Sequence, residues 1–80
     1  MKKNAEVVIV RLIRLNEVIK VTGLSRSTIY SYIADNLFPR AVPLGERAVA
    51  WVESEVNDWV IARVEERDSN KPALSLTSQS

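Results

Sequence analysis

Residues 22–30 read Thr22-Gly23-Leu24-Ser25-Arg26-Ser27-Thr28-Ile29-Tyr30. A glycine accepts the left-handed backbone that closes a helix, and a serine just after it can cap the next helix through its hydroxyl. Upstream, Leu15, Val18, Ile19 and Thr22 recur at the i, i+3, i+4, i+7 spacing of one buried helical stripe. Downstream, Ile29 and Ile33 form an i, i+4 apolar pair, and Asp35-Asn36 with Pro39 ends the pattern near residue 36. The reading is two helices, Leu15 to Thr22 and Ser25 to about Asp35, joined by a tight glycine turn. That is the helix-turn-helix layout. In such a pair the first turn of the second helix projects from the body of the domain.

With Ile29 and Ile33 pointing inward, helical geometry sends Arg26, Ser27, Tyr30 and Ser31 to the opposite side. Their chemistry suits DNA. Arginine can take guanine O6 and N7 together or bind a phosphate, and hydroxyls can meet phosphate oxygens or base edges. The helix N-terminus adds backbone N–H groups facing a polyanion. Ser25 is accounted for equally well as a plain helix cap, and the Tyr30 ring can pack at the domain edge instead of contacting phosphate. Tyr32, nearer the buried stripe, is assigned to packing.

After Pro39 the period changes. Ala41-Val42-Pro43-Leu44, then Gly45-Glu46-Arg47, then Ala48-Val49-Ala50-Trp51-Val52 predicts a β-hairpin around a glycine-containing turn. Pro43 cannot donate to a ladder, which puts its strand at an edge or on a bulge, and the hairpin is left with a free side. At its tip Arg47 is placed to reach an adjacent phosphate, with Arg40 at the base helping, although Glu46 beside it makes a merely solvated turn an equal reading. Arg14, ahead of the first helix, and Lys20 are further phosphate candidates. A third helix opens at Glu53 or Ser54, with Val56, Trp59, Val60 and Val64 on its inner face. Trp51 and Trp59 are read as core anchors. The β-branched run Val7-Val8-Ile9-Val10 is suited to a short strand whose exposed edge could pair between two copies.

Composition narrows the function classes. The 80 residues are 46% hydrophobic and 26% charged, with no cysteine and no histidine. A chain of this size forms one domain and has little room for a catalytic cavity. Disulfides, thiol nucleophiles, the usual zinc ligand sets and imidazole acid–base chemistry are excluded by the missing residue types. No enzyme, metal or cofactor chemistry is indicated. Neither a membrane span nor a secretory apolar core is expected, and the chain reads as cytoplasmic. The net charge is only +1, but residues 1–47 carry eight basic against four acidic side chains, and residues 48–80 carry three against six. Such asymmetry can build a positive face on a nearly neutral protein.

Several runs carry a family likeness: Arg14-Leu15-Asn16-Glu17-Val18, then Thr22 to Tyr30 as quoted, Phe38-Pro39, Leu44-Gly45, Arg47-Ala48-Val49, Trp51, Ser54-Glu55-Val56 and Trp59. Over about residues 12 to 67 the chain resembles the AlpA family of small prophage-encoded regulators. The resemblance implies a mainly α winged helix-turn-helix domain with a small β-hairpin, of the MerR-like and excisionase-like type. It also implies a transcriptional regulator or recombination directionality factor acting on phage or mobile-element DNA. Members commonly carry a basic residue where this chain has Ser31, a glycine where Asp35-Asn36-Leu37 stands, and a glycine at Ala50. The expected organisation is an N-terminal arm over 1–11, the DNA-binding domain over 12–68 and a disordered tail over 69–80.

The leading expectation is a sequence-specific regulator that binds double-stranded DNA, with the second helix in the major groove and the hairpin on the flank. DNA-binding residues are Ser25, Arg26, Ser27, Tyr30, Ser31, Arg14, Arg40 and Arg47. So small a contact predicts a homodimer or cooperative assembly on repeated sites. The competing expectation is a protein-interaction module. In that reading the acidic third helix and the tail dock on a recombinase, polymerase or repressor, and DNA contact is secondary.

Overall fold

A computed structural model of the chain describes residues 9–70. Its elements run β1 (Leu12–Ile13), α1 (Leu15–Thr22), α2 (Arg26–Ala34), β2 (Val42–Pro43), β3 (Val49–Val52) and α3 (Glu53–Asn70). Three helices surround a small antiparallel sheet of order β1-β3-β2. This is the layout of a winged helix-turn-helix domain.

The α1–α2 turn forms as its residues dictate. Gly23 takes φ 76° and its N–H donates to the Ile19 carbonyl at 2.8 Å, closing α1 with the left-handed cap that glycine adopts without a Cβ clash. The Thr22 hydroxyl donates to the Val18 carbonyl and accepts from the Leu24 N–H, bracing the same turn. Ser25 caps α2 by accepting from the Thr28 N–H at 3.1 Å. At the other end of α2, Asn36 takes φ 60°. The Leu37 N–H reaches the Tyr32 carbonyl and the Asn36 N–H the Ile33 carbonyl, the paired bonds of a Schellman stop. Asparagine thus serves where glycine is the commoner choice.

The hairpin pairs Val42 with Ala50 and Pro43 with Val49, and the Leu44 N–H donates to the Ala48 carbonyl across the three residues Gly45, Glu46 and Arg47. Pro43 sits on the outer strand, where its missing N–H costs no ladder bond. The β2 side of the hairpin stays free, while its β3 side is covered: β1 pairs Leu12 with Val52 and Ile13 with Trp51. The strand expected at Val7–Val10 does not form at the two of these residues that are described. Ile9 and Val10 have no regular structure and are exposed, and Val7 and Val8 lie outside the described residues. In an antiparallel pair, the partners of residues before Leu12 would be residues after Val52. The chain there has already turned into α3, where the Glu53 N–H donates to the Arg11 carbonyl.

The core holds Ile13, Val18, Ile29, Phe38, Trp51 and Val56, with Leu15, Ile19, Ile33, Tyr32 and Trp59 packed against it. Trp51 is fully buried and its indole N–H donates to the Pro39 carbonyl at 3.1 Å. Trp59 differs from the expected core anchor. It is only half-buried, with its N–H on the Leu37 carbonyl at 2.7 Å, Phe38 edge-on at 5.0 Å and the Arg63 guanidinium over its other side. The reason is that α3 runs past the edge of the small body: Val56 is buried, but every residue from Ile61 to Asn70 is exposed, Val64 included. The helix also continues through Ser69 and Asn70, beyond the expected end at Asp68; the rest of the tail lies outside the described residues.

Candidate nucleic-acid interface

The sheet and the two tryptophans fix α2 in place. The Tyr30 ring meets the buried Trp51 edge-on at 6.2 Å and 65°, and Tyr32 lies against Trp59 at 6.4 Å. Tyr32 therefore packs as expected. These contacts bind the inner side of α2 to the wing strand β3 and to α3. The outer side is free, with Ser25, Arg26, Ser27 and Ser31 exposed, and Tyr30 stands at the boundary, 40% exposed while its ring meets Trp51.

One open hollow of about 520 Å³ gathers much of the expected site. Arg14 and Asn16 at the start of α1, Arg26 and Tyr30 on α2, and Arg47 and Val49 on the hairpin all line it. Val49 lies on the β3 face that also carries Trp51, and Tyr30 rests edge-on against that tryptophan, which brings the hairpin and α2 together at the hollow. The Arg26 guanidinium carbon lies 5.8 Å from the centre of the Tyr30 ring. The three arginines take part in none of the ion pairs among the described residues, which join Arg11 to Glu53, Arg63 to Glu66 and Arg67 to Asp68. In particular, Glu46 does not neutralise Arg47. No carboxylate lines the hollow.

The other expected site residues divide. Ser25 is spent on its own helix, since its hydroxyl both accepts from the Thr28 N–H and donates to the Thr28 hydroxyl at 3.0 Å. Ser27 and Ser31 stand exposed on α2, one helical turn apart and outside the hollow. Arg40 does not join Arg47. It lines a separate depression with Phe38, Val42, Val52 and Glu55. Lys20 is exposed on the last turn of α1, also outside the hollow. Asn16 was missed in the sequence; its signal was its place in the first turn of α1, directly behind Arg14.

Among the described residues no helix is long and apolar enough to cross a membrane. Residues 11–64 match the family model described as prophage CP4-57 regulatory protein (AlpA). The uncharacterized protein ORF88 of enterobacteria phage P4 is 48% identical over 54 residues, which cover 68% of this chain and 61% of that protein. The DNA-binding transcriptional activator AlpA of Escherichia coli (strain K12) is 38% identical over 60 residues, covering 68% of this chain and 86% of that protein. The chain thus spans less than two thirds of the phage P4 protein.

Proposed function

The chain belongs to the AlpA family of prophage regulatory proteins, a family of transcription regulators and not of enzymes, and from that premise we propose that it binds a specific double-stranded DNA site. In this reading α2 enters the major groove and the β2–β3 hairpin follows the flanking backbone. The observation that carries it is the gathering of Arg14, Arg26 and Arg47 around one hollow beside the exposed face of α2, with no acidic neighbour lining it. Three unpaired cations on a chain of net charge +1 form a local positive field suited to a polyanion. The E. coli relative, named as a DNA-binding transcriptional activator, supports the same partner.

The output is regulation of phage or mobile-element DNA, either as a transcription factor or as an excisionase-like factor. Both outputs need the same docking. One domain with so short a contact binds modestly by itself, so two or more copies assemble on repeated sites. The test is selection of duplexes from a random pool by the full chain, followed by footprinting and titration against salt. Each phosphate neutralised per copy contributes about −0.9 to the log–log salt slope, so affinity should fall as salt is raised. A slope near zero would sink the reading and favour a protein partner on the acidic side of α3.

A further inference from the structure

We propose that the hollow between α1, α2 and the hairpin seats a DNA backbone phosphate. Arg26 then grips the strand together with Arg14 and Arg47, and base reading falls to the hydroxyl face of Ser27 and Ser31. This rests on the DNA-binding reading and goes beyond it, because Arg26 at the leading turn of a recognition helix is otherwise the natural base reader.

Four observations carry it. First, guanidinium groups from three separate elements line one small open hollow with no carboxylate among its walls. Such a cluster repels itself until an anion enters. A tetrahedral phosphate offers oxygens in several directions and can be met by cations from several sides. A guanine edge is planar and is satisfied by a single bidentate arginine. Second, Arg26 is laid back over the ring of Tyr30 at 5.8 Å, and that ring is braced by the buried Trp51. The guanidinium is therefore held at the wall shared with the hairpin and not extended off the helix tip. Third, Leu15 and Asn16 line the same hollow, and their N–H groups stand ahead of the first carbonyl the helix can offer them. The start of α1 thus adds partial positive charge to that of the side chains. Arg14, at the cap position, is exposed and takes part in none of the ion pairs among the described residues. Fourth, Ser27 and Ser31 are exposed on α2, clear of the hollow, and neither hydroxyl has a partner among the described residues.

The experiment uses the full chain and the best duplex recovered by selection, together with single-base-pair variants of that duplex. Arg14→Ala, Arg26→Ala and Arg47→Ala are each expected to weaken binding roughly five- to tenfold on every duplex, to lower the salt slope by a part of the roughly 0.9 that their one shared phosphate contributes, and to leave the ranking of base-pair variants unchanged. Replacing one backbone phosphate by an uncharged methylphosphonate should reproduce the loss, and on that duplex Arg26→Ala and Arg47→Ala should cost less than about twofold more. Ser27→Ala or Ser31→Ala should flatten the preference at a particular base pair with the salt slope unchanged. The proposal is overturned if Arg26→Ala erases discrimination at one base pair and leaves the salt slope intact. It is equally overturned if no single phosphate substitution is coupled to Arg26 and Arg47 together. In both of those cases the wild-type chain still binds duplex selectively, and the DNA-binding reading stands. A wild-type chain that binds no duplex refutes both.

Discussion

Removing the Tyr30 ring separates an arginine that is held in place from one that merely occurs nearby. Tyr30 is 40% exposed, sits edge-on to Trp51 at 6.2 Å and lies under the Arg26 guanidinium at 5.8 Å. The aromatic pair is worth about 0.5–1.5 kcal/mol and the exposed cation–π contact about 0.5–1 kcal/mol. Tyr30→Ala should therefore lower stability by about 2 kcal/mol. A domain of this size has a stability of roughly 3–9 kcal/mol, so the variant remains folded at 25 °C, as far-UV circular dichroism during a urea titration would show. Once freed, Arg26 must surrender rotamer freedom on binding, about 0.5–1.5 kcal/mol, which weakens duplex binding roughly two- to tenfold. Tyr30→Phe keeps the ring and should bind within about twofold of wild type. In an Arg26→Ala background Tyr30→Ala should add little, because no guanidinium is left to position. Fluorescence anisotropy with a labelled duplex at fixed salt measures the wild type and the four variants. If Tyr30→Phe binds as weakly as Tyr30→Ala, the hydroxyl makes the contact and the platform role is wrong.

Six further substitutions probe the parts that present the site. Ser25→Ala removes the cap bond to the Thr28 N–H and should cost about 1 kcal/mol in a thermal melt; Ser25→Asp keeps the cap and the stability but should bind duplex several-fold more weakly than Ser25→Ala, because it places a carboxylate at the docking end. No atom would meet a Cβ at either Gly23 or Gly45, yet only Gly23 has a left-handed φ. Gly23→Ala should therefore lose about 1–2 kcal/mol and Gly45→Ala should be neutral or gain up to about 1 kcal/mol, and equal midpoints in urea would contradict this. Trp51→Ala empties a fully buried site and orphans the Pro39 carbonyl, at about 3–5 kcal/mol. It should unfold the domain at much lower urea than Trp59→Ala, since Trp59 is half-exposed.

The local parts of this fold were legible because the residues that make them are neighbours. The stop at Gly23, the cap at Ser25 and the left-handed Asn36 each depend on a few adjacent backbone groups, so spacing alone located α1 and α2. β1 was not legible. Two residues, Leu12 and Ile13, are a strand only because β3 lies beside them almost forty positions later, while the β-prone Ile9 and Val10 just before them have no regular structure. The same holds for the site. Arg14, Arg26 and Arg47 could each be proposed singly, but nothing in their spacing shows that they share a hollow or that Arg40 faces another. Trp59 was misjudged by periodicity, which marks a helix's inner face but does not tell where the neighbouring body ends.

The two tryptophans explain how so small a core can hold a recognition helix and a wing at a fixed relation. Residues 37–39 connect α2 to the hairpin without regular structure beyond the Schellman stop, and a connection of that kind would ordinarily let the two elements move separately. Here Trp59 from α3 takes the Leu37 carbonyl and Trp51 from β3 takes the Pro39 carbonyl, with Phe38 buried between them. Trp51 also carries the Tyr30 ring, on which Arg26 rests. A single buried indole thus couples the path of the connection, the strand leading from the Arg47 tip and the position of the Arg26 guanidinium. Because an arginine ordered before binding loses less freedom on contact, this coupling lets a chain with few cations use them together, and it makes Trp51→Phe diagnostic. The variant keeps most of the buried ring but cannot bond Pro39. If the coupling operates through that bond, duplex affinity should fall even at temperatures where the variant is fully folded.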